Sequence, residues 1–224
     1  MTTWAPQKKD TLAALADEIL HNYGRGRATV AVDGTDVAGT TEFADELAAA
    51  MRLKGHTVFR ASIEGFHRPR ADRYARGRDS AEGFYRDSYD YLTFQRTLIE
   101  PFRMAGSTGF VPAAFDVRRD AQIEPTWLTG PADALLVVDG NFLQRPELRG
   151  LWNYSVWLDI PDYVADDRRA ARDLADPNPR PERNLRYSGA QELYRAESHP
   201  RRSATAIINN ADVEHPRRVF ADSC

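Results

Sequence analysis

Cysteine is almost absent: the single one in 224 residues is Cys224, which excludes a disulfide framework and a cysteine-based zinc site. Lysine is nearly as scarce. Lys8, Lys9 and Lys54 are the whole set and every other basic residue is an arginine, which narrows the choice for any chemistry that relies on a primary ammonium. Long apolar runs are missing too. Stretches such as Ala134 to Val138 fall far short of the roughly 20 residues of a bilayer helix, and Met1 to Asp10 carries no apolar signal core. These absences predict a cytoplasmic protein with no membrane partner. Surplus positive charge is also lacking, since 30 Lys and Arg against 33 Asp and Glu give a net charge of −3, which argues against a nucleic-acid partner. What is present is 42% apolar and 28% charged residues, the composition of a soluble globular chain that can bury a sizeable core. No repeat or separating linker divides it, so one domain over 1–224 is expected, and a homo-oligomer is left open.

Hydrophobic spacing predicts strands alternating with helices. Leu12, Leu15, Ile19 and Tyr23 recur at helical intervals before Gly24, so a first helix is expected from about Thr11 to Tyr23. Ala28 to Val32 reads as a buried strand running into the turn Asp33-Gly34, and Phe43, Leu47 and Met51 line the helix that follows. Thr57 to Ile63 alternates as a second strand. From Arg68 to Arg86 the chain is basic, polar and glycine-containing, which predicts a long functional loop. A helix carrying Leu92, Leu98, Ile99 and Phe102 comes next, with Pro101 near its end. Ala113 to Val117, Ala134 to Val138, Ser155 to Ile160 and Ala204 to Ile208 are further short apolar runs. Between the last two lie a charged helix with Arg168, Arg169 and Arg172, the proline-rich stretch Asp176 to Glu182, and a helix from about Ser188. Such alternation predicts an α/β fold with a mainly parallel central sheet of about five strands and flanking helices.

After the first strand, Gly34-Thr35-Asp36-Val37-Ala38-Gly39-Thr40-Thr41 has the spacing of the phosphate-cradling loop G-x-x-x-x-G-K-[ST], with Thr40 where the lysine belongs. Because the loop joins a buried strand to an amphipathic helix, the N–H groups of Ala38 to Thr41 and the positive helix end would point at an anion. Thr41 keeps a hydroxyl where Mg²⁺ would be held. The bland alternative, an ordinary strand-to-helix turn, is favoured by the glycine pair taken alone.

Other segments change that weighting. Ala31 to Leu47, Glu64-Gly65-Phe66-His67 with Arg68-Pro69-Arg70, Gly83 to Asp90, Ala114-Phe115-Asp116 and Val137 to Leu143 together resemble, in order and spacing, the uridine kinase-like branch of the P-loop kinases. Arg168 to Asp173, Arg186-Tyr187 and Ile208 to Asp212 resemble that family's arginine-bearing lid and terminal asparagine-aspartate strand. The resemblance implies a three-layer P-loop NTPase fold with a lid over about 166–187, ATP and Mg²⁺ as cofactors, and a nucleotide and a small hydroxyl-bearing molecule as partners. It implies that Gly34, Asp36, Val37, Ala38, Gly39, Thr40 and Thr41 hold the phosphates, and that Thr41 and Asp139 hold the metal. Glu64 stands where the family has an aspartate that acts as base or orients the hydroxyl; its extra methylene moves the carboxylate, and misplacement by ~1 Å can cost ~100-fold in rate. Arg168 and Arg172, one turn apart, would close over the triphosphate as catalytic cations, and His67, Tyr85, Asp87 and Asp90 would line the acceptor pocket.

Two functions from different classes follow. One is ATP-dependent phosphoryl transfer to a nucleoside such as uridine, or to another small hydroxylated metabolite such as a sugar acid. The other is binding of a nucleotide or phosphate ligand without transfer, because Thr40 cannot supply the ammonium charge, worth about 4 kcal/mol at ~4 Å for an effective dielectric of ~20.

Overall fold

The computed structural model describes residues 6–176 and 181–220. Cys224 and the centre of the proline-rich stretch therefore lie outside the described residues. The chain opens with helix α1 (Lys8–Tyr23), strand β1 (Ala28–Gly34), helix α2 (Thr40–Leu53) and strand β2 (Val58–Ser62). Every residue of β1 is buried, as expected of a parallel strand covered on both faces. Short helices α3 (Arg70–Arg73), α4 (Ala81–Asp87), α5 (Tyr91–Phe94) and α6 (Glu100–Met104) follow, and then the small strands β3 (Phe115–Asp116) and β4 (Ala121–Gln122). The remainder comprises strands β5 (Leu135–Gly140) and β6 (Tyr154–Asp159), helices α7 (Asp162–Ala175), α8 (Pro181–Ser198) and α9 (Pro200–Ser203), and strands β7 (Ala206–Asn209) and β8 (Arg217–Val219).

The main sheet has six strands in the order β2-β5-β1-β6-β7-β8, parallel except for the β8 edge. Its two faces carry separate apolar clusters. On one, Leu12, Leu15 and Ile19 of α1 and Phe43, Leu47 and Met51 of α2 pack over Val30, Val32 and Val137. On the other, Phe84, Tyr85, Phe94, Leu98, Phe102 and Tyr194 pack over Ala31, Leu136 and Val138. The result is a three-layer α/β fold. β1 lies between β5 and β6, so the carboxyl ends of β1 and β5 border the crevice where open α/β sheets bind ligands.

Three expectations are corrected, and the count of about five strands comes to six. The stretch Arg68 to Arg86 is not one long loop, because α3 and α4 form within it; the Ser80 hydroxyl caps α4 by accepting from the Gly83 N–H at 3.0 Å, and Phe84 and Tyr85 bury its apolar face. Ala113 to Val117 does not join the main sheet, and only Phe115–Asp116 pairs there, antiparallel to β4. The sixth strand is the antiparallel β8 at the sheet edge, whose Arg217 and Arg218 give it no apolar signal. α8 begins at Pro181 rather than near Ser188; Leu185 in its second turn points to solvent, so the apolar periodicity starts late. Ahead of Pro101, the helix 91–104 widens into a π-type turn over Gln95–Ile99, which accommodates a residue that clashes with the carbonyl of the preceding turn. No helix among the described residues is long and apolar enough to cross a membrane.

Candidate functional site

The loop between β1 and α2 is shaped by its two glycines. A Cβ on Gly34 would come within 2.9 Å of the Ala38 side chain, and Gly39 adopts φ 82°, the left-handed region that favours glycine. No side chain caps α2. The Ala38 N–H donates to the Thr35 carbonyl at 3.0 Å, so it closes the turn and does not face an anion as expected. Among the described residues nothing accepts from the N–H groups of Gly39, Thr40 and Thr41, an arrangement that, with the helix dipole, is suited to an anion.

Asp36 does not fold onto that end. Its carboxylate, 5% exposed, accepts from Arg169 at 2.8 Å and Arg172 at 3.1 Å. Arg169 also pairs with Asp166 at 3.0 Å, and Arg172 donates to the Asn184 side chain at 3.0 Å. Arg168 donates instead to the carbonyls of Val37, Asn210 and Ala211 at 3.0, 2.9 and 3.0 Å. Of the two arginines expected to close together over a triphosphate, Arg168 thus braces the back of the loop and Arg172 is held by Asp36. Asn210 completes the brace, donating from Nδ2 to the Ala38 carbonyl at 2.8 Å.

On the opposite side of α2, the Thr41 hydroxyl donates to Asp139 Oδ2 at 2.6 Å, with Ser62 Oγ 3.3 Å from the same oxygen. Asp139 is buried, and its Oδ1 accepts from Arg60 at 2.7 Å; Arg60 also reaches Asp45 at 2.8 Å. One hydroxyl and one carboxylate make an all-oxygen donor pair that fits Mg²⁺, which draws its remaining ligands from water and phosphate. Among the described residues no group of three or more His, Cys, Asp or Glu side chains could enclose an ion by itself.

Glu64 sits on the helical turn after β2 (Ile63–Phe66). Its Oε2 lies 2.8 Å from His67 Nε2 and its Oε1 accepts from the Tyr89 hydroxyl at 2.5 Å. His67 is oriented in turn by Ser88, whose carbonyl is 3.0 Å from Nδ1, and stacks on the Tyr89 ring at 4.7 Å. Burial raises the Glu64 carboxyl, but the hydrogen bond and charge of His67, the Tyr89 hydroxyl and the Arg73 charge prevail and hold it below the usual carboxylate range. A carboxylate so favoured is ionised at neutral pH, so it can accept the hydrogen bond of a hydroxyl and take its proton once that oxygen loses electron density to a new bond. Tyr89, pushed up by burial and the Glu64 charge, stays a hydrogen-bond donor.

The other acceptor-pocket candidates have structural partners. Tyr85 is 1% exposed, packs against Phe142 and meets the Ser198 hydroxyl at 3.2 Å. Asp87 accepts from Arg76 at 2.8 Å. Asp90 caps α5, accepting from the Thr93 N–H at 2.9 Å and its hydroxyl at 2.7 Å.

Three site residues escaped the sequence reading. Tyr89 and Arg60 look like ordinary strand or helix residues, and only their partners Glu64 and Asp139 mark them. Asp33, read as a turn residue, is fully buried under the loop; it accepts from the N–H groups of Gly34 at 2.8 Å and Gln144 at 3.1 Å and from the Tyr194 hydroxyl of α8. Burial pushes its carboxyl up to about 7 against those donors. The buried Asp-Gly pair at a strand end was its one available signal.

No family model matches the chain, and no curated protein matches it. Solved structures do. A possible uridine kinase from Bacillus stearothermophilus superposes with a TM-score of 0.72 at 23% identity, over 89% of this chain and 97% of the other. A proposed fructose transport system kinase from a Silicibacter species gives a TM-score of 0.62 at 25% identity, over 87% and 95%. A D-glycerate 3-kinase from Cryptococcus neoformans gives 0.63 at 10% identity, over 96% and 100%. The fold is that of the P-loop kinases.

Proposed function

We propose that the chain transfers the γ-phosphoryl group of ATP to a hydroxyl of a small molecule, with a nucleoside such as uridine as the first acceptor to test. The observation that carries the reading is the uncapped N–H set of Gly39, Thr40 and Thr41 beside the Thr41–Asp139 pair, with the ionised Glu64 as the hydroxyl-orienting group. Thr41 and Asp139 would hold Mg²⁺, which when bound neutralises charge on the phosphate oxygens. The loop N–H groups fix the phosphates, and Glu64, steadied by His67 and Tyr89, accepts the hydrogen bond of the acceptor hydroxyl. As the bond from that oxygen to phosphorus forms and the bond to the leaving ADP breaks, Glu64 takes the hydroxyl proton. Arg169 and Arg172, already at the loop, supply the positive charge that Thr40 lacks.

Binding without transfer is the second reading, and a specific observation favours it: Asp36 occupies both arginines. ADP release with ATP, Mg²⁺ and uridine, fructose or D-glycerate, the acceptors suggested by the structural relatives, separates the two. Turnover above background with one of them, lost on the order of a hundredfold or more in Glu64→Gln, supports transfer. ATP binding without turnover on any of the three acceptors leaves the second reading standing.

A further inference from the structure

Four arginines are buried among the described residues: Arg73, Arg145, Arg169 and Arg186. Three of them meet a carboxylate, Arg73 at Asp120, Arg145 at Glu147 and Arg169 at Asp36. Arg186, 9% exposed on α8, meets none among the described residues. Its guanidinium lies instead against three rings, 4.6 Å from the centroid of Phe84, 5.3 Å from Tyr74 and 5.8 Å from Tyr187. Ring faces attract a cation but accept no conventional hydrogen bond, so the cost of withdrawing the charge from water is only partly offset. Among the described residues the Nε of Arg186 is sealed from solvent with no acceptor, whereas its terminal nitrogens are not among the sealed, unpartnered atoms. Five residues along the same helix, Gln191 is 2% exposed and neither end of its amide has a partner.

Position decides what such a cation is for. Phe84 and Tyr74 belong to the segment after Glu64, on the acceptor side, whereas Tyr187 is shared with Arg172, whose guanidinium is 5.2 Å from the same ring. Arg186 therefore stands between the loop-binding arginines and the acceptor segment. A buried guanidinium without a counter-charge among the described residues, whose forked end has no carboxylate partner, is matched by a carboxylate or phosphate, both of which accept two parallel N–H bonds.

We propose that Arg186 is the anion-binding residue of the acceptor site, and that the acceptor carries an acidic group, carboxylate or phosphate, beside its reactive hydroxyl. This rests on the kinase reading for the word acceptor, but the anion subsite is testable without turnover. The full chain is titrated calorimetrically with two pairs differing in one acidic group, glycerol against D-glycerate and uridine against uridine monophosphate, without nucleotide and then with a non-hydrolysable ATP analogue and Mg²⁺. The wild type should bind the acidic member of at least one pair about tenfold or more tightly than the neutral one. Arg186→Gln should remove that preference while leaving affinity for the ATP analogue within about twofold. Arg186→Lys, which keeps the charge and loses the fork, should retain a weakened preference, and it gives the same reading if the glutamine variant does not fold. The proposal is overturned by an acid preference that survives Arg186→Gln, by equal or undetectable binding of both members at millimolar concentration, or by loss of ATP-analogue affinity in the variants, which would assign Arg186 to the donor. Failure of the wild type to bind the ATP analogue refutes the kinase reading instead, and the titrations without nucleotide still decide the anion subsite.

Discussion

Raising the pH should cost this protein stability through one residue, Asp33. Its carboxyl is fully enclosed beneath the loop and lies at about 7 in the folded chain against 3.8 for the free side chain. Burial dominates, and the donors from Gly34, Gln144 and Tyr194 recover only part of the cost. Between the two values the folded chain keeps a proton that the unfolded chain gives up, so folding is favoured most below about pH 4 and the advantage is lost as pH rises through about 7. At 1.36 kcal/mol per pKa unit the shift corresponds to roughly 4 kcal/mol. Asp33→Asn removes the titration but not the volume. Its amide oxygen can still accept from Tyr194 or Gln144, while its NH₂ meets the Gly34 N–H donor to donor, a constant penalty of about 1–3 kcal/mol. The assay is urea unfolding of both proteins at intervals from pH 4 to 8, read as the difference between them, in which the other titrating groups cancel. Wild type minus variant should decline by about 4 kcal/mol up to pH 7 and then level off. A difference that moves by less than about 1 kcal/mol over that window would refute the account of Asp33 as a carboxyl kept protonated by its surroundings.

Two further outcomes follow from the loop arginines. Asp36→Asn withdraws the shared carboxylate from Arg169 and Arg172, and since Asp166 still pairs with Arg169 and Arg172 is a third exposed, the expected loss in thermal or urea unfolding is about 2–3 kcal/mol, below the usual range for a buried pair. The same variant should bind ATP severalfold more tightly in calorimetry, and weaker binding would contradict the idea that Asp36 and the phosphates compete. If Arg172 supplies the missing charge, Arg172→Ala should lower turnover by on the order of a hundredfold, while Thr40→Lys changes it by less than about tenfold; restored turnover in Thr40→Lys from an inactive wild type would show the opposite.

The parts of the fold legible in the sequence are those written in local terms. β1 and α2 were readable because an uninterrupted apolar strand, a glycine pair and a helical apolar stripe fall within 26 consecutive residues, and Asp139 was readable because it ends a strand of the same kind. α4 was not, since arginines, serine and Gly83 surround the two aromatics that bury its face. The proposed acceptor side was the least legible. Asp90 is an N-cap and Asp87 an ion-pair partner, roles that a carboxylate before a helix or among arginines fills as readily as a binding role. Tyr89 and Arg60 acquire meaning only from residues 25 and 79 positions away, and no spacing rule reaches that far.

Thr40, where the phosphate-loop pattern has a lysine, goes with an unusual distribution of charge around the loop. A lysine in the loop would present a cation to phosphate with nothing else to neutralise. Here the loop carries a carboxylate, Asp36, and the cations come from α7, where each is already committed: Arg169 to Asp36 and Asp166, Arg172 to Asp36 and Asn184, Arg168 to three carbonyls. At the proposed metal site Asp139 is likewise neutralised by Arg60. On the proposed reading, a triphosphate arriving at Gly39 to Thr41 would have to draw Arg169 and Arg172 away from a nearly buried carboxylate or share them with it, so part of its binding energy would be used in the exchange. That cost falls on the resting state. If the arginines move fully onto phosphate only as charge develops there, the exchange favours the transition state over bound ATP, and weak nucleotide affinity is then compatible with efficient transfer.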